Sequence, residues 1–273
     1  MKPVQPYFVL ATDQYYEAPV MRDGIASLYH YRRNCRALER IHAIPDGCID
    51  VYFERDCAGI HARVCGTVRK STPVPMKNGN EYFGIRFLPG VLPANLNAQM
   101  KDFVERRVDL EDVAQSRSLV WRIEQAKDWR QCVGLFLEAY EATRREPGSC
   151  QEKLAVYVTQ QMLSARGGIR IQELAQKSGY SARYIATIFE QYVGISPKTL
   201  ERIIQFQNAV HSISYHQARP LTEVGAEAGY FDQAHFIREF KKHMGLTPNE
   251  YRKLVREQAY LTHFDVSPPA TAP

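Results

Sequence analysis

The chain is 273 residues long, 45% hydrophobic and 24% charged. That is an ordinary folded composition, which excludes global disorder, and the length points to about two domains. No run of about 18 apolar residues occurs, which argues against a membrane span, and Met1-Lys2-Pro3-Val4-Gln5-Pro6-Tyr7 lacks the apolar stretch of a secretion signal, so a cytoplasmic protein is expected. The net charge of +5 is mild but unevenly placed: residues 166–256 hold 13 Lys/Arg against 8 Asp/Glu, and the remainder 22 against 22. Such an excess suits a phosphate-bearing partner, although a solvated helical face also carries it.

In chain order, short apolar or alternating runs over 25–31, 48–54, 60–68 and 82–88 are separated by Pro45-Asp46-Gly47, Arg55-Asp56, Pro73-Val74-Pro75 and Asn78-Gly79-Asn80. This punctuation predicts strands of a small β-barrel or sandwich. Over 48–54 the strand period of two sets Ile49, Val51 and Phe53 on one face, and Cys48, Asp50, Tyr52 and Glu54 on the other. Asp50 and Tyr52 are candidate pocket residues for a small-molecule effector, with Arg86 reaching them from a strand over 84–88; a solvent-facing polar face is the alternative.

After Pro89-Gly90 the spacing turns helical over 91–145, with Leu119-Val120-Ile123 and Val133-Phe136-Leu137-Tyr140. This apolar stripe exceeds what a small barrel needs and offers a surface for a homodimer. Glu146-Pro147-Gly148-Ser149 breaks the region as a linker, and helix resumes at about 151, ending near Gly167-Gly168. The expected organisation is a β-rich sensor domain over 1–112, a helical linker or dimerisation region over 113–147, a DNA-binding domain over 150–258 and a tail over 259–273, disordered at its Pro-rich end, 268–273.

The six cysteines (Cys35, Cys48, Cys57, Cys65, Cys132, Cys150) form no Cys-x-x-Cys pair and are expected reduced, with no zinc site. The eight histidines show neither His-x-His nor His-Glu-x-x-His spacing, and the chain has no Gly-rich phosphate loop and no Gly-x-Ser-x-Gly elbow. No catalytic residue, metal or cofactor is expected.

Residues 173–251 repeat themselves. Gly179-Tyr180-Ser181, Tyr184-Ile185, Phe189 and Gly194-Ile195-Ser196-Pro197 return as Gly229-Tyr230-Phe231, His235-Phe236, Phe240 and Gly245-Leu246-Thr247-Pro248. Each copy reads as helix, Gly-containing turn, helix, the layout of a DNA-reading helix-turn-helix. In the first, Ser181 suits the N-cap, and Ile185, Ile188, Phe189, Tyr192 and Val193 share the inward face, leaving Arg183, Ala186, Thr187 and Glu190 outward. In the second, Asp232 is the cap, Phe236, Phe240 and Met244 pack inward, and Gln233, Ala234, Ile237, Arg238 and Lys241 lie toward the other side. A helix from Pro197 to about His216 spans roughly 30 Å, which would hold the two reading helices in adjacent major grooves about 34 Å apart.

These residues resemble the AraC/XylS family of bacterial transcription regulators over about 100 residues, 153–255. The most specific stretch runs Gly229-Tyr230-Phe231-Asp232-Gln233-Ala234-His235-Phe236-Ile237-Arg238-Glu239-Phe240-Lys241-Lys242, closing at Gly245-Leu246-Thr247-Pro248 and Tyr251-Arg252. The resemblance implies an all-α domain of two helix-turn-helix units joined by a long helix, making the whole chain α+β. It carries base-contacting positions onto Arg183, Ala186 and Thr187 in the first unit and Gln233, Ala234, His235 and Arg238 in the second; Lys241, outward on the same helix, is counted with them. Ala186-Thr187 departs from the family, where an arginine or another long polar residue is frequent, so first-unit readout is expected to rest on Arg183 and apolar contacts.

Pro45-Asp46-Gly47-Cys48-Ile49-Asp50-Val51-Tyr52-Phe53 and Gly84-Ile85-Arg86-Phe87-Leu88-Pro89-Gly90 are similar to the β-rich sensor domain of some AraC relatives. The expectation is a ligand-responsive regulator, an activator, with promoter DNA, RNA polymerase and an unidentified small molecule as partners. The alternative is a regulator of the same DNA-binding class whose N-terminal domain only dimerises or binds a protein. An enzyme fused to a DNA-binding domain would need a nucleophile or metal constellation in the N-terminal half, and none is found.

Overall fold

A computed structural model describes residues 3–33 and 41–264; Cys35 and the expected disordered end 268–273 lie outside the described residues. The chain begins with α1 (Pro6–Leu10), β1 (Thr12–Arg22), β2 (Ile25–Arg33), β3 (Ile41–Ala43), β4 (Ile49–Asp56), β5 (Gly59–Cys65), β6 (Thr72–Val74) and β7 (Glu81–Phe87). It continues through α2 (Met100–Phe103), β8 (Arg107–Asp109), α3 (Leu110–Val113), α4 (Arg117–Glu124) and α5 (Trp129–Thr143). The remainder is helical: α6 (Cys150–Ser164), α7 (Ile171–Ser178), α8 (Ala182–Val193), α9 (Pro197–Tyr215), α10 (Leu221–Glu227), α11 (Gln233–Met244), α12 (Pro248–Glu257) and a 3-10 turn at Tyr260–His263.

The main sheet is antiparallel in the order β1-β2-β7-β4-β5-β8, and β3 and β6 form a separate ribbon. The four strands expected from sequence are present as β2, β4, β5 and β7. The sequence reading missed β1, β3, β6 and β8. In β1 two register shifts break the alternation and Pro19 interrupts the run, which an edge strand tolerates. Pro73, read as a turn residue, sits in β6 opposite His42, in a two-stranded ribbon that tolerates the missing donor.

Alternation divides the sheet into two faces. Ile49, Val51, Phe53, Phe83, Ile85 and Phe87 pack under α4 and α5, where they meet Leu119, Ile123, Phe136 and Tyr140. The apolar stripe that suggested a dimer surface is thus covered within the chain, because the sheet presents an equally apolar face to it. Tyr29, Tyr31 and Tyr82 belong to the opposite face and share one buried cluster with Val4, Tyr7 and Leu10 of the N-terminal segment and Phe206, Val210, Phe240, Met244 and Tyr251 of the C-terminal helices. Tyr260, in the region expected to be a tail, is fully buried there, and Phe264 bridges to Tyr15.

Candidate DNA interface and effector cavity

The first helix-turn-helix unit is closed by local chemistry. Gly179 ends α7 in the left-handed conformation at φ +75°, which a side chain would strain, and its N–H reaches Ala175 O at 3.0 Å. Ser181 Oγ then accepts from Tyr184 N–H at 3.2 Å as the N-cap of α8. Ile185, Ile188, Phe189 and Val193 are buried with Leu200 and Ile204 of α9, and Tyr192 is half-buried against them. Arg183 and Thr187 are exposed and Ala186 is half-buried. The Thr187 hydroxyl donates back to Arg183 O at 3.1 Å, leaving it less available to a partner.

The second unit repeats the construction. Asp232 Oδ1 accepts from His235 N–H at 2.7 Å and caps α11, whose Phe236, Phe240 and Met244 are buried. Gln233, Ala234, Ile237, Arg238 and Lys241 are exposed. His235 is half-buried: its Nδ1 faces Phe231 N–H at 3.4 Å and its ring lies edge-on to Tyr230, so it also closes the turn. Both exits carry caps, Ser196 accepting from Thr199 N–H and Thr247 from Glu250 N–H. Between them α9 has 19 residues, about 28 Å at 1.5 Å per residue.

Among the described residues the Arg183 and Arg238 side chains make no hydrogen bond or ion pair, so both guanidinium groups have their donors available. Sequence reasoning missed the exposed aromatics beside them. Tyr180 and Tyr184 stack at 5.3 Å with 42% and 37% of their surface open, and Phe231 is 92% exposed. The spacing of Tyr180 and Tyr184 across the cap was the available signal.

On the sheet, register places Asp50 opposite Arg86 and Gly84 opposite both Tyr29 and Tyr52. Gly84 is required there, since a Cβ would fall 2.1 Å from the Tyr29 ring. Arg86, only 2% exposed, donates through Nε to Asp50 Oδ1 at 3.0 Å and through a terminal nitrogen to Oδ2 at 2.8 Å, and lies 3.5 Å from Asp46. Tyr29 OH donates to Asp50 at 3.0 Å. Burial opposes the Arg86 charge, but Asp50 and Asp46 hold its pKa above the ordinary value. Burial pushes Asp46 up despite Arg86.

Asp50, Tyr52 and Arg86 all line a cavity of about 90 Å³, together with Gln5, Asp46, Tyr29, Tyr31 and Tyr82. Cys48 and Cys65 also reach it, but burial raises both thiols, Cys65 to about 12, so neither is a thiolate at neutral pH. Among the described residues no cluster of three or more His, Cys, Asp or Glu is placed to hold a metal, and no helix is long and apolar enough to cross a membrane.

Residues 174–254 match the model of a helix-turn-helix domain, and residues 15–109 match a domain of unknown function. The chain is 31% identical over 91 residues to the probable transcription factor PqrA of Proteus vulgaris, covering 33% of this chain and 74% of that protein. It is 35% identical over 86 residues to the F1 operon positive regulatory protein of Yersinia pestis, covering 32% of this chain. An uncharacterised helix-turn-helix transcriptional regulator of Haemophilus influenzae is 33% identical over 85 residues, 31% of this chain. The match spans 28% of the length of each of these last two proteins. Among solved structures, the C-terminal domain of AraT, a response regulator from Geobacillus stearothermophilus, aligns over 40% of this chain and 88% of its own at 24% identity and a TM-score of 0.34. ToxT from Vibrio cholerae aligns over 88% and 98% at 8% identity and a TM-score of 0.44. With its paired, capped helix-turn-helix units and a relative matched over most of its length, the chain belongs to the AraC family of helix-turn-helix transcriptional regulators.

Proposed function

We propose that this regulator activates transcription in response to a small molecule held in the sheet cavity, reading promoter DNA with the outward faces of α8 and α11. Arg183, Ala186 and Thr187 would form the first reading surface, and Gln233, Ala234, His235, Arg238 and Lys241 the second. Recruitment of RNA polymerase and formation of a homodimer belong to the same reading.

The observation that carries the proposal is the N-terminal segment, which touches the cavity and the DNA-binding half at once. Gln5 lines the cavity, donating to Asp46 at 2.8 Å and to Ile44 O at 2.7 Å. Its neighbour Val4 pairs through N–H and C=O with the buried side chain of Gln207 on α9. Tyr7 OH donates to Met244 O, at the end of α11, at 3.2 Å. A ligand that altered Gln5 would therefore act on groups bonded to the second helix-turn-helix unit, which is the differential contact a ligand-controlled equilibrium requires.

The test is a thermal-shift screen of the full chain against metabolites, followed by DNA-affinity measurements on a selected operator. At least one compound that raises the midpoint should also change operator affinity and reporter output. Bound compounds that left both unchanged would overturn the effector reading and favour an N-terminal domain that only dimerises or binds a protein.

A further inference from the structure

The effector cavity carries an imbalance of charge that bears on what it takes. Among the described residues lining it, the charged groups are Arg86, Asp50 and Asp46, two carboxylates against one guanidinium. The guanidinium is already committed. Two of its nitrogens face the two oxygens of Asp50 at 3.0 and 2.8 Å, and its carbon stands 5.3 Å from the centroid of the Tyr29 ring. Asp46 takes Gln5 Nε2 at 2.8 Å and Cys48 N–H at 3.0 Å and pairs with Arg86 Nε at 3.5 Å, so the two carboxylates share a single guanidinium that lies closer to Asp50. A buried carboxylate that shares its one cation with a second carboxylate is costly to keep charged, and a further positive partner relieves that cost.

The walls suit the same charge. Tyr29, Tyr31 and Tyr82 line the cavity in a stacked row, with centroid spacings of 6.1 and 5.1 Å, and Phe8 stacks on Tyr31 at 6.2 Å. Aromatic rings beside a carboxylate attract a cation with an apolar body, because ring quadrupole and carboxylate act with the same sign. An anion would meet Asp46 and Asp50 with Arg86 occupied. A neutral molecule would leave the excess carboxylate as it stands.

We propose that the cavity binds a small organic cation, an alkylammonium whose charge is balanced by Asp46 and whose alkyl groups lie against Tyr29, Tyr31 and Tyr82. The 90 Å³ of space fits only a small body, about three to five heavy atoms. This assignment rests on the reading of the cavity as the effector site.

Tetramethylammonium and tert-butanol, of nearly the same shape, separate charge from size, and the somewhat larger pivalate adds an anion; all three are titrated into the full chain by calorimetry and by thermal shift, with operator affinity measured alongside. Tetramethylammonium should bind at least about tenfold more tightly than tert-butanol, and pivalate should give no saturable heat. Asp46→Asn should remove the preference for tetramethylammonium over tert-butanol. The charge series is run on the native protein, so a misfolded variant leaves the test intact. Equal or tighter binding of tert-butanol or pivalate would overturn the cation, and if that binding changed operator affinity the effector reading would stand without it. Absence of binding by all three would overturn the cation as well. Saturable tetramethylammonium binding with unchanged operator affinity would uphold the cation site and sink its role as effector.

Discussion

Gln207→Leu isolates the joint between the two halves of the chain. Gln207 is fully buried on α9; its Oε1 accepts from Val4 N–H at 2.7 Å, and its Nε2 donates to Val4 O at 3.2 Å and Pro45 O at 2.7 Å. Leucine nearly fills the same volume, so the substitution opens little cavity but orphans three backbone groups held away from water. Each orphaned group costs about 1–3 kcal/mol. Allowing for partial relaxation and for the apolar gain of leucine, about 3–6 kcal/mol should be lost, a large share of a typical 5–15 kcal/mol. Urea denaturation would show this as a lower midpoint. Limited proteolysis should then cut within residues 3–11 under conditions that leave the wild type intact. A loss under about 1 kcal/mol with an uncut N-terminus would refute the view that this side chain joins the N-terminal segment to the DNA-binding half.

Arg238→Ala should weaken specific DNA binding by about 1–3 kcal/mol and relax preference at one base position, since an exposed, unpaired guanidinium has the reach for a bidentate guanine contact; titration against every single substitution in the operator checks it, and unchanged base preference removes Arg238 from the reading set. Phe240→Ala should cost about 3–5 kcal/mol, because the ring is fully buried against Phe206, Phe236 and Tyr251, and should depress binding to all sequences alike; a thermal melt at wild-type stability would contradict the assigned inward face. His243 is held below its ordinary value of 6.5, first by burial, with Lys242 and Arg202 adding to the shift and the Glu239 carbonyl and carboxylate opposing it. A depressed folded pKa contributes stability that is present above 6.5 and lost as pH falls through the folded value, so the wild type should lose more stability than His243→Gln between neutral pH and the acid side of that value, as followed by denaturation at stepped pH.

The DNA-binding half was legible because its signals are local. Gly179, Ser181, Ser196, Asp232, Gly245 and Thr247 act within a few residues of where they stand, and the 3.6-residue spacing of Ile185, Ile188 and Phe189 depends on no distant partner. The cavity was legible only in part. Alternation along β4 put Asp50 and Tyr52 on one face, and the Gly84–Leu88 run supplied Arg86. Tyr29, Asp46 and Gln5 arrive through strand register and through a segment folded back across the sheet, for which the sequence holds no periodic signal. The 203-residue separation between Val4 and Gln207 is beyond any local pattern. Exposed Tyr180, Tyr184 and Phe231 were hidden for another reason: the repeat aligns Tyr180 with Tyr230, yet the first is exposed and the second buried, because only Tyr230 packs on a phenylalanine, Phe236.

The two reading helices differ in what lies behind them. Ile185, Ile188 and Phe189 of α8 are buried in a cluster built from α6, α7 and the first half of α9, with Val104 packed at its edge. Phe236, Phe240 and Met244 of α11 are buried in the cluster that also holds Tyr29, Tyr31 and Tyr82, the rings that wall the cavity. Close-packed interiors have low compressibility and transmit strain among the side chains that touch. Under the proposed function, a ligand that moves those rings would act on the second helix-turn-helix unit through this shared core, whereas the first unit meets the N-terminal half elsewhere, where α8 packs on α2. On that reading the position of α11, and with it Arg238, would be tied to the cavity through the core they share.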